Sequence, residues 1–161
     1  MEFRAYKPAD SAAIESLFVS VFSASEGEKE GALVGKLAKD LMACSDSRDL
    51  YGFVAVENDR IVGAIFFSRL TCEAAVEVFI LAPVAVHTEY QGQGIGQALI
   101  NYGLRELKDD GVKVVTTYGA PAFYSRVGFH PVSQEVIAAP FDLSQPEGWL
   151  AQSLTGDPLE P

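Results

Sequence analysis

The chain has 161 residues, 48% of them hydrophobic and 21% charged, with a net charge of −10. That length and balance predict one globular domain with a core of its own, and the acidic excess argues against a nucleic-acid surface, which needs a basic footprint. The longest apolar stretch, 78–86, is far short of a membrane span, no basic segment leads into an apolar run at the start, and Cys44 and Cys72 lack C-x-x-C spacing, so a reduced cytoplasmic protein without membrane partners is expected.

In chain order, residues 2–6 alternate and predict a first strand. Asp10 stands as the N-cap of a helix in which Ile14, Leu17, Phe18 and Val21 recur at i, i+3, i+4 and i+7. Ser25 and Glu28 have the spacing of a capping box for a second helix, whose apolar face is Leu33, Val34, Leu37, Ala38 and Leu41. Residues 50–56 read as a strand, Asn58-Asp59 as a two-residue hairpin turn, and 60–70 as its partner strand. The near-continuous apolar run 76–86 predicts a strand buried on both faces. Pro83 inside it has no N–H to donate, which predicts a bulge or broken pairing.

A helix is predicted from Gly94 to Asp110. Gln97, Asn101, Arg105 and Lys108 form one polar line along it and the rest is largely apolar, so it packs on more than one side. Gly111 suits the position after its end. Residues 112–118 predict a fifth strand. Gly119-Ala120-Pro121 opens a short helix to Val127, closed by Gly128-Phe129, and strand-like sequence runs to Ile137. Residues 147–154 are expected to form a terminal helix, with Trp149 either packing it down or covering a substrate groove. The tail 155–161 is expected to fray.

The stretch around residues 84–99 is where chemistry concentrates. Val84, Ala85 and Val86 close a buried strand, Gln91-Gly92-Gln93-Gly94-Ile95-Gly96 is a Gly-rich turn, and a helix follows. Strand, Gly-rich turn and helix N-terminus in succession make an anion site, because glycines admit the phosphate and the first N–H groups and the helix dipole favour its charge. A dinucleotide fingerprint would need glycine where Gln97 stands, and a Walker A loop would need Lys and Ser/Thr after the last glycine.

Read as Q-x-x-G-x-G over Gln91, Gly94 and Gly96, the turn resembles the pyrophosphate loop of the GNAT superfamily of acyl-CoA-dependent N-acyltransferases. A second segment, Tyr124-Ser125-Arg126-Val127-Gly128-Phe129, matches the superfamily's Y-x-x-x-G-F, in the right order and after the fifth strand. Phe123-Tyr124 matches the apolar-Tyr pair common in the superfamily at this point, and Gly119-x-Pro121 before Tyr124 resembles a bacterial subgroup of predicted acetyltransferases. Many of these have Asp where this chain has Ala120. The resemblance implies a single α/β domain over 1–161: a mixed, mostly antiparallel sheet of six to seven strands, helices on both faces, and parallel strands four and five splayed to hold CoA. It further implies acetyl-CoA as cosubstrate and no metal.

The implied chemistry is attack of an amine on a thioester. Val84, Ala85 and Val86 would hold the pantetheine through their backbone, and Gln91, Gly92, Gln93, Gly94, Ile95, Gly96 and Gln97 would hold the pyrophosphate. Tyr124 would lie near the sulfur as general acid, or else be a core tyrosine. The base would be Glu77, in the fourth strand, or ordered water. The acidic surface serves solubility or attracts a cationic amine. The acceptor is a small-molecule, peptide or protein amine, and the chain is a monomer or homodimer. The alternatives are a non-catalytic acyl-CoA sensor and acylation of a protein or tRNA-linked amine. A covalent acyl-cysteine on Cys44 or Cys72 lacks a His partner.

Overall fold

In the computed structural model, residues 1–45, 48–70, 77–140 and 142–156 are described. Cys72, Val76 and the tail from 157 onward lie outside them. Seven strands form one sheet in the order β1-β2-β3-β4-β5-β7-β6. They are β1 (Glu2–Ala5), β2 (Leu50–Glu57), β3 (Arg60–Arg69), β4 (Val78–Val86), β5 (Val114–Tyr118), β6 (His130–Pro131) and β7 (Trp149–Ser153). The helices are α1 (Ser11–Glu26), α2 (Glu28–Cys44), α3 (Ile95–Asp109) and the single turn α4 (Pro121–Tyr124). β4 and β5 run parallel, while β5–β7, β6–β7 and β1–β2 are antiparallel. This is the mixed α/β sheet that the resemblance implies. The chain divides into two compact units, Met1–Phe66 with Pro83–Gly103, and Phe67–Ala82 with Leu104–Pro161.

In the first unit, Asn58 and Asp59 both have positive φ, 52° and 61°, as a two-residue hairpin turn requires. The sheet carries helices on both faces. Ile14, Leu17, Phe18 and Val21 of α1 join Val54, Ala64 and Phe66 in one buried cluster. Tyr102 of α3 meets Phe3 and Phe53, and neighbours such as Phe53 and Val54 point to opposite faces of a strand. Asp10 occupies the N-cap position of α1 but makes no side-chain cap. Its carboxylate instead takes both Arg4 guanidinium nitrogens and the Lys7 N–H, and the Arg4 hydrogen bonds hold its pKa below the ordinary value.

Two expectations for the helices are corrected. α1 continues to Glu26, so Ser25 is helical and no capping box forms; Gly27 breaks the chain at φ +99°. Val34, Ala38 and Leu41 of the expected face of α2 do pack on the core, but the fully buried line is Gly31, Gly35 and Ala38, leaving Leu33 and Leu37 56% and 47% exposed. The cause is close packing of α2 on α1. A Cβ at Gly31 would overlap Ser23 Oγ and lie 2.7 Å from Val19 O, and one at Gly35 would overlap Val19 Cγ2.

The β3–β4 pairing carries a register slip of one residue within β4, the strand in which a bulge is expected. The Leu70 N–H bonds to Val78 O and the His87 N–H to Val62 O. Nine residues of β4 therefore run alongside eight of β3, and one is extra. In the second unit, the expected terminal helix is a strand. Trp149, Leu150 and Ala151 are all buried, because β7 is paired on both sides, to β5 and to β6. The Trp149 indole is fully buried and donates to Ile137 O at 2.9 Å, so it packs rather than covers a groove. The strand expected up to Ile137 shrinks to His130–Pro131.

Candidate active site

The first unit holds the Gly-rich turn. After Val86 come His87, a 3₁₀ turn over Thr88–Tyr90 and the exposed residues Gln91–Gly94, and then α3. Gly92 and Gly94 have φ of +79° and +78°, and a Cβ on either would meet nothing within 4 Å. Glycine is required there by conformation. The Ala98 N–H reaches Gly94 O at 3.0 Å as an opening bond of the helix. The N–H groups of Ile95, Gly96 and Gln97 precede it, and a helix provides no carbonyl partner for its first N–H groups. Ile95 is buried and anchors the helix start.

The Gln91 side chain turns back and donates to Val86 O at 2.9 Å, tying the turn to the strand exit. Gln93 donates to Glu89 O at 3.5 Å. Gln91 and Gln93 thus hold the turn in shape, and the groups left for an anion are the backbone N–H groups. Val84 and Val86 are half-buried and Ala85 is buried. His87 lies beside Arg60, its Nε2 2.6 Å from Arg60 Nη2.

The second unit holds the tyrosine turn. Pro121 opens α4, and its fixed φ suits a first helical residue. The Tyr124 N–H bonds to Ala120 O at 3.1 Å and the Phe129 N–H to Tyr124 O at 3.2 Å. The phenol ring sits edge-on to Phe123 and Phe129, with centroids 4.9 and 5.8 Å away. Gly128 of the Y-x-x-x-G-F segment has φ +94°, with Gln152 Oε1 3.0 Å from where a Cβ would be. Burial raises the Tyr124 pKa above its ordinary value, and a hydrogen bond with the Thr117 side chain opposes that shift. The hydroxyl is therefore protonated at neutral pH and able to donate.

Glu77 is exposed, and its carboxylate is paired with the Arg69 guanidinium, which also lies over the Phe79 ring at 4.9 Å. Cys44 is free and exposed at the end of α2. Among the described residues no group of three or more His, Cys, Asp or Glu could hold a metal, and no helix is long and apolar enough to cross a membrane.

The packing of three residues around the tyrosine is not given by the motifs, although Gly119 belongs to one of them. Thr117 is buried in β5 and donates to Leu81 O at 2.8 Å. Gly119 lies under the phenol, 2.6 Å from Tyr124 Cε2 for an added Cβ, and a Cβ on Gly148 would come 2.8 Å from Gly119 O. The signal for the first was a Thr116-Thr117 pair in an otherwise apolar strand. Gly119 stands in the Gly119-x-Pro121 pattern, but nothing local says that it lies against Tyr124 or that Gly148, nearly thirty residues on, lies against it.

Comparison with known proteins agrees with this picture. The model for the acetyltransferase (GNAT) domain matches residues 48–131. The uncharacterized N-acetyltransferase YjhQ of Escherichia coli K12 is 34% identical over 137 residues, covering 81% of this chain and 74% of YjhQ. Escherichia coli YhbS, a GNAT family N-acetyltransferase solved in complex with CoA, superposes with a TM-score of 0.81 at 27% identity, over 95% of this chain and 81% of that one. A GNAT family acetyltransferase from Brucella melitensis, solved with acetyl-CoA, gives 0.76 at 25% identity, over 99% and 90%. The two motifs, the parallel β4–β5 pair and these relatives together establish that the chain belongs to the GNAT family of acetyltransferases.

Proposed function

We propose that the chain transfers an acetyl group from acetyl-CoA to a primary amine of a small molecule, peptide or protein by direct attack. The observation that carries this is the Gly92/Gly94 turn running into α3, in a chain whose relatives YhbS and the Brucella enzyme hold CoA and acetyl-CoA at their own sites. The backbone N–H groups of Ile95, Gly96 and Gln97 take the pyrophosphate. The exit of β4 at Val84–Val86 offers main-chain donors and acceptors to the pantetheine amides.

The neutral amine attacks the thioester carbonyl, forming C–N. The tetrahedral intermediate then collapses, breaking C–S, and the electron pair leaves on sulfur. Tyr124 donates its proton to that thiolate as general acid, and recovers one from solvent. The amine loses its proton to water rather than to Glu77, because the Glu77 carboxylate is exposed and already engaged by Arg69. A base has to be free to take the proton it abstracts.

The test is a screen of amine acceptors with acetyl-CoA, reading free thiol and acetylated product together. Thiol release that depends on an acceptor is expected. Acetyl-CoA binding by calorimetry with no acceptor-dependent thiol release across the screen would replace the transferase with a non-catalytic acyl-CoA sensor.

A further inference from the structure

We infer that the outer face of α2 docks a second copy of this chain, the two α2 helices lying antiparallel with Leu33 of each against Leu37 of the other. This stands apart from the acetyl-transfer reading and does not depend on it.

α2 carries apolar residues on two sides, and the chain itself packs only one of them. Gly31, Gly35 and Ala38 are buried, and the two bare glycines let α1 come close. Leu33 and Leu37, one turn apart, stand exposed on the other side. A single exposed leucine is ordinary, whereas two on successive turns form a ridge. A helix turns about 100° per residue. Lys29, Glu30, Leu33, Lys36, Leu37 and Asp40 therefore fall within an arc of about 120°, facing away from Gly31, Gly35 and Ala38. All six are exposed. Their two lysines and two acids cancel, so this face is neutral on a chain of net charge −10. Two such acidic copies repel over most of their surface, and a neutral face with an apolar ridge is where they can meet.

Charge complementarity sets the direction and the register. In an antiparallel pair related by a twofold axis, each flank of one helix meets the same flank of the other. Placing Leu33 against Leu37 of the second copy puts the axis level with Gly35. Lys29 then stands within one residue, about 1.5 Å of rise, of Asp40 across the pair, and both lie on one flank of the leucines. The symmetry makes two such ion pairs, one at each end of two Leu33–Leu37 contacts. Lys36 comes near its own copy at the axis, and its 3.6 Å ion pair with Asp40 of the same helix offsets that like charge. A parallel pair would instead bring Lys29 level with Lys29 and Asp40 level with Asp40, which disfavours it. One helix pair makes a small interface, so the dimer is a weak one.

The experiment is sedimentation of the full chain from about 10 μM to about 1 mM, a range that covers weak association, with thermal midpoints to show that each variant is folded. The mass should climb toward that of two chains as concentration rises. Leu37→Gln should weaken association about tenfold or more, because a leucine side chain is no longer buried. Lys29→Asp alone and Asp40→Lys alone each set like charges opposite one another at both ends, and each should be monomeric where the unsubstituted chain is dimeric. An equimolar mixture of these two variants should dimerise again, since the aspartates of one then face the lysines of the other. The Lys29→Asp/Asp40→Lys double variant should dimerise by itself. A mass of one chain across the whole range would overturn the docking face. Dimers that ignore Leu37→Gln, or a mixture of the two single variants no more associated than either alone, would overturn it as well.

Discussion

At Gly92 and Gly94 the backbone has φ near +79° and an added Cβ would meet nothing within 4 Å, whereas at Gly119 and Gly148 φ is not positive and an added Cβ would run into Tyr124 Cε2 at 2.6 Å and Gly119 O at 2.8 Å. The turn before α3 needs glycine for its shape and leaves the space above it open. The tyrosine turn needs glycine for room and fills that room with a ring. The first arrangement suits a charged group arriving from solvent, since exposed N–H groups want an anion. The second suits a side chain that must hold still during a proton transfer, since reacting atoms tolerate little displacement. In the proposed reaction, the first turn would receive the cofactor and the second would hold the acid in place.

The largest effect should come from removing what the second unit fixes. Tyr124→Phe keeps the ring and its packing and loses the hydroxyl. A general acid contributes about 10²–10⁴-fold, and a thiolate is a weakly basic leaving group, so a loss of about 10² in kcat is expected. The KM for acetyl-CoA should hardly move, because the interaction forms as charge develops on sulfur. A lowered thermal midpoint with normal turnover would make Tyr124 a core residue and erase the contrast between the two units. With burial raising the phenol's pKa above its ordinary value, activity should persist through the neutral and mildly alkaline range and fall only above it.

Next in size is the receiving unit. Gly94→Asp forces an L residue into φ +78° and adds negative charge beside the site proposed for pyrophosphate. Acetyl-CoA affinity should fall about tenfold or more, where tenfold is about 1.4 kcal/mol. Unchanged affinity in a folded variant would mean that the turn binds no phosphate. A matched pair sharpens the comparison further. Gly92→Ala meets open space, so its cost is conformational, about 1–2 kcal/mol of stability, with kcat preserved. Gly119→Ala has no such strain but pushes the phenol, so kcat should fall about tenfold, since a displacement of about 1 Å can cost about 10²-fold. Swapped outcomes, a stability loss at 119 and a turnover loss at 92, would invert the assignment of the two turns.

The same contrast explains what could be read in advance. The turn before α3 announces itself because conformation is local: Gly92 and Gly94 stand in one short run between a strand and a helix, and so does the Asn58-Asp59 turn. Gly128 is local too. Packing is not local. Nothing near Gly148 says that it lies against Gly119, and nothing near Gly31 and Gly35 says that they, and not Leu33 and Leu37, face α1. Within 147–154, Trp149-Leu150-Ala151 is an apolar run without clear period, and only the two neighbours β5 and β6 make it a strand rather than the expected helix. Asp10 has the identity and place of a cap, yet Arg4 competes for its carboxylate more strongly.

The smallest effect is expected at Glu77, and it bears on which unit handles the amine's proton. In sequence, a glutamate at the start of the fourth strand is a natural candidate for the base. In the structure it lies at the edge of that strand, more than half exposed, with its carboxylate on Arg69, whose guanidinium also covers the Phe79 ring. Taking a proton from an amine would require the carboxylate to give up that guanidinium, and an exposed pair of this kind contributes little stability, about 0–1 kcal/mol. Glu77→Gln should therefore leave kcat within about twofold, the thermal midpoint nearly unchanged and the acidic limb of the pH–rate profile in place. Were Glu77 the base, the same substitution would abolish that limb while sparing acetyl-CoA affinity, because the limb reports the ionisation of whichever group accepts the proton. Arg69→Gln supplies the complementary measurement. If Glu77 is only an ion-pair partner, freeing it from Arg69 should leave the profile where it was. An acidic limb that changes in Arg69→Gln would show instead that the amine's proton passes through Glu77.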